Sequence, residues 1–194
     1  TQAWTAGWDY ITDLFRLLEY AIFSLHGSKN RKPVLAAFYA QPPPEALLDV
    51  LSRLKAGKPS ILSGLGEPDS VFQSNRCKYI AVQITCTETL VNIMALLYSH
   101  APAREVMDVA ERFLEDVTQA PLIMFKVAGN QIVHQLQGVG HMLCHVARHD
   151  SWRSRPEAKR LIVFMGNLVN SLQNDIPSAA KAGKQLLSLA GQLS

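Results

Sequence analysis

The stretch that decides the fold is PLIMFKVAGNQIVHQLQGVGHMLCHVARHD, residues Pro121 to Asp150. Its apolar positions Phe125, Ile132, Leu136, Val139, Leu143 and Val146, with Gly129 completing the series, are separated by alternating steps of four and three. That spacing keeps them on one side of a helix. At about 100° per residue, Asn130, His134, Gln137, His141 and His145 collect on the far side, with Arg148 beside them. A helix apolar on one flank and lined with neutral hydrogen-bonding groups on the other suits a central position among neighbours, or the wall of a groove. Gly138 and Gly140 each weaken a helix interior by roughly 1 kcal/mol relative to alanine. Because the stripe keeps its phase through them, they read as points where another backbone comes close, with a kink near Val139 as the alternative.

Working outward, the same periodicity recurs on both sides. Trp4, Trp8, Ile11, Phe15, Leu18, Ile22 and Leu25 predict an amphipathic first helix that ends before Gly27, with its tryptophans turned to the core. Pro33 can open a short helix through Tyr39, and the run Pro42, Pro43, Pro44 forms a rigid corner before a helix from Glu45 to Ala56 with Leu47, Val50, Leu51 and Leu54 inward. Residues 58–74, with Pro59, Gly64, Gly66 and Pro68, read as an irregular loop, and GLGEPD lacks the Gly-Lys-Ser/Thr of a phosphate cradle.

The segment KYIAVQITCTETLVNIMALLYS, Lys78 to Ser99, is the one place where a strand competes, since it is rich in β-branched residues. Ile80, Ile84, Thr87, Val91, Met94 and Tyr98 hold the four-and-three spacing over five turns, far beyond an ordinary strand, so it is a helix. Pro102 opens another with Val106, Val109, Ala110, Phe113, Leu114 and Val117 inward. Pro156 opens a further one carrying Leu161, Met165, Leu168 and Leu172, and Ser178 to Leu193 closes the chain with Ala179, Gly183, Leu186, Ala190 and Leu193 in phase. Small residues bury little surface, so this last helix is expected to fray or to await a continuation.

The result is an all-α chain of about eight helices, an antiparallel bundle or a short armadillo- or HEAT-like α-solenoid, in a single domain over residues 1–194. No residue-level repeat emerges at spacings of about 40 to 47. At 194 residues, 48% hydrophobic and 18% charged, the chain can bury about 70% of its unfolded surface. Beginning at Thr1, it reads as a piece of a longer protein. No uninterrupted apolar run reaches the ~18 residues of a membrane span. Cys77, Cys86 and Cys144 lie in apolar segments without ligand spacing and read as reduced, buried thiols of an intracellular protein, cytoplasmic or nuclear.

Candidate chemistry is thin. His141 and His145 stand one turn apart but lack a third ligand, so no metal site and no cofactor are expected. Cys144 beside His145 faces a different way on a helix, which argues against a nucleophile–base pair. Glu111 and Glu115 read as the wet side of their helix rather than as an acid–base pair.

No catalytic residues are therefore assigned. The expected role is a non-enzymatic interaction module, a scaffold or adaptor that takes a peptide or partner helix in a groove beside Asn130, His134, Gln137, His141 and His145. One alternative is nucleic-acid association through a basic patch of Lys29, Arg31, Lys32, Arg148, Arg153, Arg155, Lys159 and Arg160, although a net charge of +3 is small for that partner. Another is a bundle that encloses a small molecule.

Overall fold

A computed structural model describes residues 2–30, 43–59, 71–150 and 154–193. Among them are eight helices and no strand: α1 (Gln2–Asn30), α2 (Pro44–Ala56), α3 (Val71–Tyr98), α4 (Ala103–Thr118), α5 (Leu122–Ala128), α6 (Asn130–His149), α7 (Arg155–Ser171) and α8 (Ala179–Gly191). The fold is all-α, as the spacing predicts. Several helices start on proline because its fixed φ is already helical and the first amides have no intrahelical partner. Pro43, Pro102 and Pro121 precede α2, α4 and α5, with φ of −59°, −56° and −60°. The expected short helix at Pro33 to Tyr39 lies outside the described residues.

The hub is α3, not the 121–150 stretch. It packs against α1, α2, α4, α5 and α6 and supplies two apolar clusters at once. Val82, Cys86, Ile93 and Leu96 join the larger cluster with α4 to α8. Ile80, Ile84, Val91, Met94 and Ala95 join a second cluster with Tyr10, Ile11, Leu14, Leu17, Leu18 and Ala21 of α1 and Leu47 and Leu51 of α2. A helix apolar all round is a buried helix. Lys78–Tyr98 is long and apolar enough, by length and composition, to cross a membrane, which a count of uninterrupted apolar runs misses, yet 72% of that window is buried within the protein.

Contacts between alternate helices fix the arrangement. Gln135 on α6 bonds Thr87 on α3, Ser178 bonds Asn130, and Gln137 on α6 bonds Gln185 on α8, each across a separation of 48 residues. Arg160 on α7 meets Glu111 on α4 across 49. The contacts advance together along the paired helices, Asn130–Ser178 then Gln137–Gln185, and Gln135–Thr87 then Gly138 against Leu90, so α3, α6 and α8 run parallel, side by side. Helices adjacent in sequence also pack, α3 on α4, α6 on α7 and α7 on α8, so the arrangement is a helical bundle or short solenoid in which α3, α6 and α8 lie in a row. Beneath the geometry lies a faint echo: Gln83, Ile84, Val91 and Met94 stand 48 residues before Gln131, Ile132, Val139 and Met142. The buried Ala110, Phe113, Leu114 and Val117 likewise stand 48 before the buried Ala158, Leu161, Ile162 and Met165.

Four other expectations are revised. The long helix breaks at Gly129, where φ 66° and ψ −146° put the backbone in a region that glycine alone enters easily, so α5 and α6 are separate. Within α6 the chain runs unbroken through Gly138 and Gly140, as the phase of the stripe predicts, but what comes close is a side chain and not a backbone: a Cβ on Gly140 would stand 2.2 Å from Leu186 Cδ2. On α1, which continues to Asn30, the buried side is turned from the expected stripe: Ile11 and Leu18 are inside, but Trp8, Phe15 and Ile22 are exposed. On α2, Val50 is exposed for the same reason. The start of α3 at Val71 takes the end of the expected 58–74 loop into a helix, while 60–70 lies outside the described residues.

The last helix does not fray. Ala179, Ala182, Gly183, Leu186 and Ala190 are buried against α6 and α7, and a Cβ on Gly183 would stand 2.1 Å from Asn170 Oδ1. Small residues here bring two helices close, which replaces the area that larger side chains would have buried.

Candidate functional site

The polar side of α6 lies on the protein surface. Asn130, His134, His141 and His145 are exposed and Gln137 is half-buried, while the opposite stripe Phe125, Ile132, Leu136, Val139, Leu143 and Val146 is buried throughout. Parallel packing then places α8 along one flank. Ser178 donates to Asn130 Oδ1 at 2.7 Å, Gln137 Nε2 donates to Gln185 Oε1 at 2.6 Å, and Arg148 donates to Gln192 Oε1. Three rungs of side-chain hydrogen bonds thus tie α6 and the α8 segment together at the rim. Beyond them, Pro177, Ala180, Lys181, Lys184, Gln185 and Ser188 line a shallow open groove of about 570 Å³.

On the other flank α6 meets α3 through a buried polar contact. Gln135 Nε2 donates to Thr87 Oγ1 at 2.8 Å, and Thr87 donates in turn to the Gln83 carbonyl at 2.8 Å. Gln135 Oε1 and Gln131 Nε2 are buried without a protein partner. Amides and a hydroxyl therefore fringe the histidine ridge on the α8 side, while those on the α3 side are buried in the contact between the helices.

The five residues expected to form a groove wall share one helix edge, and the groove at this rim is lined by Pro177 and residues of α8, none of them on α6. Sequence reasoning missed the α8 half of the site, Ser178, Lys181, Lys184, Gln185 and Gln192. A signal for part of it existed: Ser178, Gln185 and Gln192 are seven apart, as are Asn130 and Gln137. His145 and His149 meet with their rings tilted by 52° and 4.4 Å between ring centroids, and among the described residues no group of three or more His, Cys, Asp or Glu side chains converges to hold a metal ion. Cys144 is buried while its neighbour His145 is exposed, as adjacent helical residues must face apart.

The basic patch is divided. Arg148 turns to Gln192, Arg160 pairs with Glu111 on α4, and Arg155 is exposed at the start of α7 with Lys159 half-buried one turn on. Arg31, Lys32, Arg153 and the side chain of Lys29 lie outside the described residues.

A second polar cluster sits where α1, α2 and α3 meet. Tyr10 donates to Glu88 Oε1, Lys58 Nζ stands 3.3 Å from the same oxygen, and Lys58 lies 5.9 Å from the Tyr10 ring centre. Burial, then the hydrogen bond and charge of Glu88, hold the Tyr10 phenol above its ordinary pKa. Every member of the bonded trio has its partner, so the cluster reads as a clamp joining three elements.

Comparison of the chain with protein-family models, with curated proteins and with solved structures finds no match.

Proposed function

We propose that this chain is a non-enzymatic interaction module that takes a peptide or partner helix along the solvent edge of α6. The observation that supports the reading is the exposed row of His134, His141 and His145, bordered by the Asn130–Ser178 and Gln137–Gln185 rungs. Side-chain amides retain spare donors and acceptors after making one bond each, and imidazoles offer a donor and an acceptor on a flat apolar ring. Such a row suits a partner that brings its own polar groups. It rests on a rigid base, since the other side of α6 is fully buried, and pre-organised surfaces lose less entropy on binding.

The test is a triple replacement, His134→Ala, Gln137→Ala and His141→Ala, measured against peptides selected from a random display library on the full chain. Binding should weaken about tenfold or more while the melting temperature falls by only a few degrees, because His134 and His141 are exposed and half-buried Gln137 gives up a single hydrogen bond at the rim. Undiminished binding by the triple variant would overturn the reading.

A further inference from the structure

We infer that the partner is an acidic peptide in extended conformation, lying across the α6–α8 rungs; this rests on the proposed role of the α6 edge and names the chemistry it recognises. Charge is the first ground. From Asn130 to His149 and from Ala179 to Gly191 there is no carboxylate, while Arg148, Lys181 and Lys184 are exposed along with the three histidines of the ridge. Lys181 lies one turn from Gln185 and from Ser178 on the same side of its helix, so the cations continue the surface of the rungs. The nearest carboxylates in sequence are Asp150, past the end of α6, and Asp175, which is held by Lys126 at 2.9 Å. An acid-free strip steers acidic partners and repels basic ones.

The second ground separates an extended peptide from a helix. An amphipathic helix docks by burying an apolar stripe in an apolar groove. Among the described residues the exposed large apolar side chains are on α1, α2, α5 and α7, with none on α6 or α8. An extended chain, by contrast, carries unpaired backbone N–H and C=O groups, and side-chain amides such as Gln137 and Gln185 can bond both kinds. What this face offers is therefore matched by an acidic strand and not by an oily helix.

The experiment selects random peptides of about 12 residues on the full chain and measures the winners by fluorescence anisotropy. Each is compared on the parent, on Arg148→Glu with Lys181→Glu and Lys184→Glu, and on the His134→Ala, Gln137→Ala, His141→Ala variant, beside a single-stranded DNA of equal length. Circular dichroism confirms that both variants fold, which the exposure of these positions favours. The inference expects winners rich in Asp and Glu, bound about tenfold more weakly by the charge-reversed variant and weakened by salt. Neutral winners unaffected by charge reversal but lost on the alanine variant would overturn the acidic inference and leave the peptide-binding role standing. Winners indifferent to both variants, or none at all, would overturn both. DNA bound more tightly than the acidic peptides at the same salt would assign the strip to phosphates and overturn the inference.

Discussion

Helices α3 and α6 hold corresponding places in the stack, 48 residues apart, and they are finished in opposite ways. Cys86 and Ile93 are buried in the larger core, and the positions 48 residues later are His134 and His141, both exposed. One helix has neighbours on most sides and is largely apolar, its Thr87 and Glu88 each bonded within the protein. The other has neighbours on two flanks and beneath, and its remaining edge is polar. The difference teaches that two helices in corresponding places become a hub or a surface according to the side chains set at fixed register along them, although they share only the residues at 83/131, 84/132, 91/139 and 94/142.

Exchanging those side chains is the most severe test. Ile93→His should destabilise by about 3–5 kcal/mol, since it removes a fully buried apolar group and leaves an imidazole unpaired in the core. The reciprocal His141→Ile should stay within about 0.5 kcal/mol. Chemical denaturation of the two variants reads both numbers, and similar losses would erase the distinction between the helices.

The next test compares two glycines on α6. A Cβ at Gly140 would meet Leu186 Cδ2 at 2.2 Å, so Gly140→Ala should cost about 1–2 kcal/mol as a buried leucine is displaced. At Gly138 the nearest atom is Leu90 Cδ1 at 3.4 Å, an ordinary contact, and Gly138→Ala should stabilise by about 0.5–1 kcal/mol through helix propensity. Thermal melts of the pair should therefore move in opposite directions. Gly129→Ala should cost about 1–2 kcal/mol for a different reason: nothing lies within 4 Å of its Cβ, but φ is positive.

Alkali gives a graded contrast. Burial pushes the Cys86 thiol from 9.0 up to about 12, so the unfolded chain ionises first and stability contributed by the neutral thiol is lost as pH rises through that window. Cys86→Ala should flatten the fall between pH 9 and pH 12 by about 1 kcal/mol per pH unit. An unchanged slope in that variant would mean that the α3 thiol is not the group responsible.

Much of this was legible in the residues. The inward stripes of α4, α6 and α8 are all buried as spacing predicts, because in each the apolar side is clearly narrower than the helix. On α1 two stripes compete: the expected one carries the large Trp8 and Phe15, while the buried one carries Tyr10, Leu14, Leu17 and the small Ala21. Side-chain size pointed to the wrong one, and only the placement of α3 decides between them. The break at Gly129 was hidden because the apolar phase continues across it. The stack itself was hidden because its 48-residue offset survives in few identities and lies just outside the spacings expected for such repeats. Lys181, Lys184 and Gln185 could not be joined to the histidine edge without knowing that α6 and α8 run side by side.

That parallel course is the central claim, and distances between spin labels test it most directly. Cysteines introduced in pairs at 130 and 178, at 148 and 192, and at 130 and 192, in a Cys77→Ser background, give three separations by pulsed electron resonance. The stack predicts that the first two are short and that the third is longer by about 20 Å, the rise of some fourteen helical residues. A shortest distance between 130 and 192 would mean antiparallel helices, and the arrangement described for α6 and α8 would be contradicted.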